Sequence, residues 1–310
     1  RALAKPFDIN GFGAFVGMSI GIAKSGAQST AGQLLREADL AMYRAKSATG
    51  SKFLVFDAKT DPLSSRHEIE VALRRAVTNQ ELLLHWQPIV SLRNSQVHTL
   101  EALLRWERPG HGLLSPGDFL HVAEASGLIV NIGRWVLQSA CQAGALTDDR
   151  SVSVNISASQ LRQVTFVDEL LEVLERTGLP PARLVLELTE HALIEPALVT
   201  AALRRVRELG VRIALDDFGT GYSSLSLLSR LPVDIVKLDR SFLRDIEENS
   251  ANQAVIKSLV QVTAALSMQL VVEGVESDKQ RRLLRSLGVQ HGQGYWFGEP
   301  EPGRLLRAKG

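Results

Sequence analysis

The chain has 310 residues, 45% hydrophobic and 22% charged, which suits one large core with a smaller attached piece. Its formal net charge of +1 excludes the broad basic surface that a sequence-independent grip on a nucleic-acid polymer requires. The single cysteine, Cys141, excludes an internal disulfide framework and fits a reducing compartment, and no apolar run approaches the roughly 18 residues of a membrane span.

The opening "RALAKPFDING" does not resemble a natural start, so the chain reads as cut from a longer protein. Residues 1–57 predict a strand in "AFVGMSIGIA", a helix in "AGQLLREADLAMYRAKSATG" and a short strand in "FLVFD". This is part of an α+β domain. Residues 58–80 predict a connection: a linker in "DAKTDPLSS", then a lead-in helix in "RHEIEVALRRAVTNQ" with Ile69, Leu73 and Ala76 or Val77 on its apolar face.

From residue 81 to 310 one rhythm repeats, a short apolar strand and then a helix. The predicted strands are "LLLHWQPIV", "VHTLEALLRW", "VSVNIS", "RLVLELTE", "RIALDDFG", "DIVKLDRSF", "QLVVEGVES" and "VQHGQGYWF". The helices between them include one long segment, "FLHVAEASGLIVNIGRWVLQSACQAGA", with Cys141 as a small core residue. Others are "FVDELLEVLERTG", "LVTAALRRVRELG", "NQAVIKSLVQVTAALS" and "KQRRLLRSLG". Gly178, Gly210 and Gly288 stand where helices should stop. Near-continuous apolar strands alternating with helices predict a parallel sheet covered by helices, and eight of them favour a β/α barrel over an open sheet. No glycine-rich dinucleotide fingerprint follows the first strand.

Polar residues end these apolar strands: Glu101, Asn155, Glu187, the pair Asp216 and Asp217, Lys237, Glu273 and Gln293. In a β/α barrel those ends converge on one mouth, where active sites are built. Singly, each acid would read as a strand end in water. As one set on strand after strand they read as a site. The set holds five carboxylates, two amides and one lysine, while the seven histidines are scattered without ligand spacing. Oxygen-only ligation points to a hard cation such as Mg²⁺ or Mn²⁺ rather than zinc. Five carboxylates call for about two divalent ions, an arrangement suited to displacing a phosphate ester. Two adjacent aspartates would repel unless a cation lay between them. Lys237 alone would also suit a structural ion pair. The "FGTGYSS" turn lacks the Gly-Lys-Ser/Thr ending of a Walker loop.

These motifs resemble one family. "EALLRW" carries the Glu-Ala-Leu signature of EAL-domain cyclic di-GMP phosphodiesterases, and "WQPIV", "VNIS", "ELTE", "DDFGTGYSSL", "IVKLD", "EGVE" and "GQGYWF" follow in order, from about Leu82 to Pro300. The resemblance implies an α/β fold, a modified TIM (β/α)8 barrel, that hydrolyses cyclic di-GMP to linear 5′-pGpG with two Mg²⁺ or Mn²⁺ ions and is inhibited by Ca²⁺. It implies Glu101, Asn155, Glu187 and Asp216 as ligands of one metal, with Asp216 bridging to a second held with Asp217. Lys237 would hold the attacking water, Glu273 would be a further metal-site carboxylate, and Gln293 would complete the constellation. Glu190 would anchor the "DDFGTG" loop and Glu276 would support it. Gln87 and Arg105 would contact a guanine and a phosphate. Where the family more often has serine and alanine, this chain has His191 and Val272, neither a proposed ligand.

The first segment resembles the C-terminal half of a GGDEF domain through "SIGIA" and "LLREADLAMYRAKSATG", without the half that would carry the Gly-Gly-Asp-Glu-Phe loop. Cyclase activity is therefore not expected. Two alternatives stand beside the enzyme: a catalytically silent cyclic di-GMP receptor, and an unrelated metal-dependent barrel enzyme. The resemblance further implies a cytoplasmic location in a bacterium, under a parent protein that a membrane could tether. It also implies upstream sensory domains and dimerisation through the barrel.

Overall fold

The computed structural model describes residues 7–9, 12–14, 19–26, 30–47, 53–56, 63–147, 149–193, 196–220, 228 and 230–303. The chain divides into two compact units, residues 1–71 and 72–310, so the boundary falls inside the lead-in helix.

In the first unit β1 (Phe7–Ile9) and β2 (Phe12–Ala14) form an antiparallel ribbon. β3 (Ile20–Ile22) pairs in parallel with β4 (Phe53–Val55), and α1 (Ala31–Ser47) makes the crossover that a parallel pair requires. Much of the predicted strand "AFVGMSIGIA" lies outside the described residues. α2 (Leu63–Ala76) starts three residues earlier than predicted, so the linker is shorter than its composition suggested.

The second unit closes eight strands into a barrel. In order around it stand β5 (Leu82–Ser91), β6 (Val97–Arg108), β8 (Ser151–Asn155), β9 (Leu184–Thr189), β10 (Arg212–Phe218), β11 (Ile235–Leu238), β12 (Gln269–Val272) and β13 (His291–Gln293). β13 returns to β5. Two short strands, β7 (Gly112–Leu114) and β14 (Glu301–Pro302), add to β6 and β5. The first strand departs from an all-parallel barrel: β5 runs antiparallel to both β6 and β13. The cause is local. A tight turn joins β5 to β6, in which Ser91 and Gln96 hydrogen bond and Ser95 takes a left-handed conformation, and so short a connection permits only an antiparallel return.

The covering helices are α3 (Pro116–Ala125), α4 (Ile129–Ala145), the short α5 (Ala158–Leu161), α6 (Phe166–Thr177), α7 (Pro196–Glu208), α8 (Ser250–Ala265) and α9 (Asp278–Ser286). The single helix predicted over residues 119–145 is two, because Gly127 adopts φ +73° and breaks the ladder. α6 shows why the others form. Phe166, Val167, Leu170, Val173 and Leu174 fall on one helical face and are buried, each stabilising the fold by about 1.5–3 kcal/mol. Acidic Asp168 and Glu169 lie in its first turn, Arg176 in its last, and Gly178 caps it in a left-handed conformation. Gly210 and Gly288 also have positive φ. Among the described residues no helix is long and apolar enough to cross a membrane.

Inside the barrel the pleat places functional side chains at one height. Ile89, Val185, Ala214, Ile235 and Val271 form a buried apolar cluster, and Thr99, Ser153 and His291 line the same interior cavity. Side chains two residues apart on a strand share a face. Two residues further toward the mouth from these eight come Gln87, Glu187, Asp216, Lys237, Glu273, Glu101, Asn155 and Gln293. The polar ring is thus the next layer above an apolar one.

Candidate active site at the barrel mouth

Lys237 is the hub of this layer. It is 1% exposed, and its Nζ lies 2.6 Å from Glu187, 2.8 Å from Glu273, 3.1 Å from Asp216 and 3.4 Å from Glu101. Those acids come from four other strands or strand ends, so only closure of the barrel assembles them. Burial alone would lower the lysine's pKa, but Asp216, Glu101, Glu187 and Glu273 together hold it well above the ordinary value. Lys237 therefore remains an ammonium.

The rest of the layer is cross-linked. Asn155 donates to Glu101 Oε1 at 2.8 Å, and Gln293 donates to Glu101 Oε2 at 2.6 Å and to Gln87 Oε1 at 3.0 Å. Gln87 stands directly opposite Glu101 in the β5–β6 pairing and donates onward to the Gly298 carbonyl. Ser153 donates to Glu187. Burial pushes Glu101 upward, but the Lys237 charge and the bonds from Gln293 and Asn155 outweigh it and lower its pKa. Glu187 has less support. Burial and then the Glu101 charge raise it well above the carboxylate range. Burial likewise pushes Glu273 up to about 7.

A bulge explains the adjacent aspartates. Between Leu215 and Phe218 β10 advances three residues while β11 advances two, from Val236 to Leu238. The extra residue rotates the chain, and Asp217 adopts φ +54°. In a regular strand the two carboxylates would face opposite sides. Here both line the mouth cavity, and with Glu273 they offer oxygens within 4.8 Å of one another. Burial and then Asp216 raise the Asp217 pKa.

The donors present suit a cation. Asp216 Oδ1 and Gln293 Oε1 are buried acceptors without a hydrogen-bond donor, and the ion pair of Asp216 with Lys237 lacks hydrogen-bond geometry. One lysine faces Glu101, Glu187, Asp216, Asp217 and Glu273. Oxygen ligands in such excess fit a hard divalent metal.

The mouth cavity, about 430 Å³, is lined by Gln87, Glu101, Asp216, Asp217, Lys237, Glu273, Glu276 and Gln293 among the predicted residues. Asn155 and Glu187 reach it through their bonds to Glu101 and Lys237 rather than by lining it. Arg105 stands on β6, where burial lowers its pKa against the charge of nearby Glu101, and its guanidinium donates to the Leu104 carbonyl. Glu190 Oε1 accepts from the Gly219 amide at 3.1 Å, which ties it to the start of the "FGTGYSS" turn. Residues 221–227 of that turn lie outside the described residues. The sequence reading missed Asp239, Arg240 and Tyr295, which also line the cavity. The predicted strand "DIVKLDRSF" includes Asp239 and Arg240. The strand stops at Leu238, and Asp239 instead caps a 3₁₀ turn by accepting from the Ser241 amide at 2.9 Å. A short polar residue two positions past Lys237 was the available signal.

The EAL domain family matches residues 70–300. The chain belongs to the EAL-domain family. It is 40% identical over 309 residues to the cyclic di-GMP phosphodiesterase PdeR of Escherichia coli, covering 97% of this chain and 46% of PdeR. It is 37% identical over 317 residues to the bifunctional diguanylate cyclase/cyclic di-GMP phosphodiesterase MucR of Pseudomonas aeruginosa, covering 99% of this chain and 46% of MucR. The chain spans about half the length of these curated relatives. Its fold superposes on the MucR phosphodiesterase solved as a cyclic di-GMP complex with a TM-score of 0.73 at 40% identity, covering 77% of this chain and 100% of that structure. The match begins inside α2 and takes in the whole closed barrel, so this EAL domain contains every residue of the polar ring.

Proposed function

We propose that this chain hydrolyses cyclic di-GMP to linear 5′-pGpG. The observation that carries the proposal is the closed polar ring around Lys237, with five carboxylates and a bulge that brings Asp216 and Asp217 to one cavity. Likeness to PdeR, and to MucR solved with cyclic di-GMP, supports the substrate.

Two Mg²⁺ or Mn²⁺ ions are the proposed cofactor; Glu101, Asn155, Glu187, Asp216 and Asp217 would hold them, with Glu273 beside them. Bound there, such ions would supply water activation and counter-charge for the phosphate. Lys237, kept protonated by its acidic neighbours, orients the attacking water through Nζ and stabilises the charge that builds on the phosphate oxygens. Water oxygen bonds to phosphorus, the O3′–P bond breaks, and the leaving O3′ takes a proton, which yields a 5′-phosphate. Gln87 and Arg105 position a guanine and a phosphate, and Glu190 holds the loop after Asp217 through Gly219.

The first unit reads as the C-terminal part of a GGDEF-like domain, a reading supported by its β3–α1–β4 arrangement and by the bifunctional MucR match. The chain has no Gly-Gly pair, so its proposed activity is the hydrolase alone. Cyclic di-GMP as substrate would be met in the cytoplasm of a bacterium, and that is the location proposed for the domain.

The test is turnover of cyclic di-GMP by the purified chain in Mg²⁺, in Mn²⁺ and in Ca²⁺, with products separated by chromatography. pGpG in the first two and none in calcium is expected. Binding without any product would make the chain a receptor.

A further inference from the structure

β8 sends two polar side chains to the polar ring and its underside, Asn155 in the ring and Ser153 one layer beneath it. In the β8–β9 register Asn155 stands level with Glu187, and Ser153 stands level with Val185. The two polar groups serve different acids. Asn155 turns to β6 and donates to Glu101 Oε1, while Ser153 reaches up one layer and donates its hydroxyl to Glu187 Oε1. Among the described residues the ring gives Glu101 three donors, Asn155, Gln293 and Lys237, but it gives Glu187 only Lys237. Ser153 supplies the donor that the ring does not.

Neither partner of this bond reaches bulk solvent. Ser153 and Glu187 are both buried, and the cavity they line beneath the ring has room for about one water. A buried carboxylate oxygen without a donor is costly, and so is a buried hydroxyl without an acceptor, so each group holds the other in place. Glu187 is therefore fixed at both oxygens and from two strands. Ser153 on β8 holds Oε1 from below, and Lys237 on β11 holds Oε2 at 2.6 Å within the ring. Val152 and Val154 on either side of Ser153 are fully buried, which anchors the strand that carries the hydroxyl. Outer partners of this kind set the orientation of a carboxylate that ligates a metal.

We propose that Ser153 is a positioning residue for the metal site: its hydroxyl occupies Oε1 of Glu187, so that Oε2, beside Lys237, is the oxygen left for a metal. The inference rests on the reading of Glu187 as a metal ligand. Ser153 acts through Glu187 and does not line the mouth cavity, so its loss weakens metal binding and leaves the affinity for the nucleotide alone.

The experiment is calorimetric titration of the whole chain, stripped of metal and without nucleotide, with Mn²⁺. The same titration is run on Ser153→Ala, Ser153→Thr and Thr99→Val. Ser153→Ala should weaken Mn²⁺ binding about tenfold or more, as loss of an outer partner of a metal ligand commonly does. Ser153→Thr keeps the hydroxyl, and its added methyl can enter the adjoining cavity, so it should bind Mn²⁺ within about threefold of the unsubstituted chain. Thr99→Val removes a hydroxyl from the same cavity, one that meets the His98 ring rather than an acid, and should change Mn²⁺ binding by less than about twofold. In turnover of cyclic di-GMP, Ser153→Ala should raise the Mn²⁺ concentration for half-maximal rate, while KM for the nucleotide at saturating Mn²⁺ stays within about twofold. Unchanged Mn²⁺ binding by Ser153→Ala would overturn the inference and leave the hydrolase reading standing. Equal losses from Ser153→Ala and Thr99→Val would also overturn it, because cavity packing would then be the cause. No Mn²⁺ binding by the unsubstituted chain would overturn both the inference and the metal site beneath it. If Ser153→Ala does not fold, Ser153→Cys, a weak donor of similar size, decides in its place with the same loss expected.

Discussion

The mouth of this barrel and the opposite end, its floor, are each shaped by a bulge and carry unlike polar groups. At the mouth a bulge on β10 puts Asp217 in a left-handed conformation and gathers acids around one lysine. At the floor a bulge on β6 brings His98 beside His291, within the field of Arg212. His291 stands level with the apolar cluster of Ile89, Val185, Ala214, Ile235 and Val271, one layer below the acids. The lesson is that neighbouring layers of one pleated barrel can be given unlike chemistry, with a single inserted residue choosing which side chain joins each.

The largest effect expected comes from removing the hub of the mouth. Lys237→Ala leaves Glu101, Glu187, Asp216 and Glu273 without their shared cation. Turnover of cyclic di-GMP should fall by about a thousandfold or more, since charge stabilisation is commonly worth that much. The metal-free protein should also melt earlier, because breaking a buried ion cluster costs about 3–5 kcal/mol. Arg212→Gln at the floor should leave turnover within about twofold. Equal losses from the two changes would erase the distinction between the ends.

The next effect separates the bulge from its charge. Asp217→Asn removes a carboxylate but keeps a residue that tolerates φ +54°. Turnover should drop by about a hundredfold, with the thermal transition nearly unchanged. Asp217→Ala should cost turnover similarly and lower the melting temperature as well. If Asn lowered stability as much as Ala, the strain would not reside in the backbone.

Much of this was legible in the sequence, and the rest was not, for identifiable reasons. The strand-terminal residues Glu101, Asn155, Glu187, Asp216, Lys237, Glu273 and Gln293 could be picked out because apolar runs ending in one polar residue are a one-dimensional signal. Gly178, Gly210 and Gly288 were legible as helix stops because left-handed caps demand glycine. The bulges were not, since register belongs to a pair of strands and neither partner states it alone. His98 and His291 looked scattered for the same reason, being far apart until β13 closes on β5 beside β6. The antiparallel first strand was readable only through the shortness of residues 92–96, which the strand–helix rhythm obscured.

A smaller effect is expected where the mouth meets its loop. Gly219 has φ +97°, and a Cβ there would lie 2.4 Å from the Phe242 ring. Glu190 accepts from the Gly219 amide, so displacing this residue disturbs the anchor of the turn after Asp217. Gly219→Ala should cost about 1–2 kcal/mol of stability through positive φ and crowding. It should lower turnover about tenfold, chiefly through KM. Phe242→Ala in the same background should restore part of the stability by making room, while Phe242→Ala alone should restore nothing.

The smallest effect is a difference in how the two ends answer pH. His291 sits at about 4 in the folded chain against an ordinary 6.5. Between those values the unfolded chain binds a proton that the folded chain refuses. Its contribution is therefore full above pH 6.5 and is lost as pH falls toward 4, by about 1 kcal/mol once partial exposure is allowed for. Glu273 acts in the other sense. Its folded value of about 7 lies above the ordinary 4.5, so without metal its contribution is present below pH 4.5 and is lost as pH rises toward 7. Denaturant melts of metal-free protein, stepped from pH 4 to 8, should show the sum of a rising limb from His291 and a falling limb from Glu273, which overlap between about pH 4.5 and 6.5 and oppose each other. His291→Gln should leave the falling limb alone, and Glu273→Gln the rising one. Divalent metal should then stabilise the protein more at pH 8 than at pH 5, because it favours the carboxylate form that the bare mouth resists. A shared response of both limbs to either substitution would mean that His291 and Glu273 titrate as one coupled system.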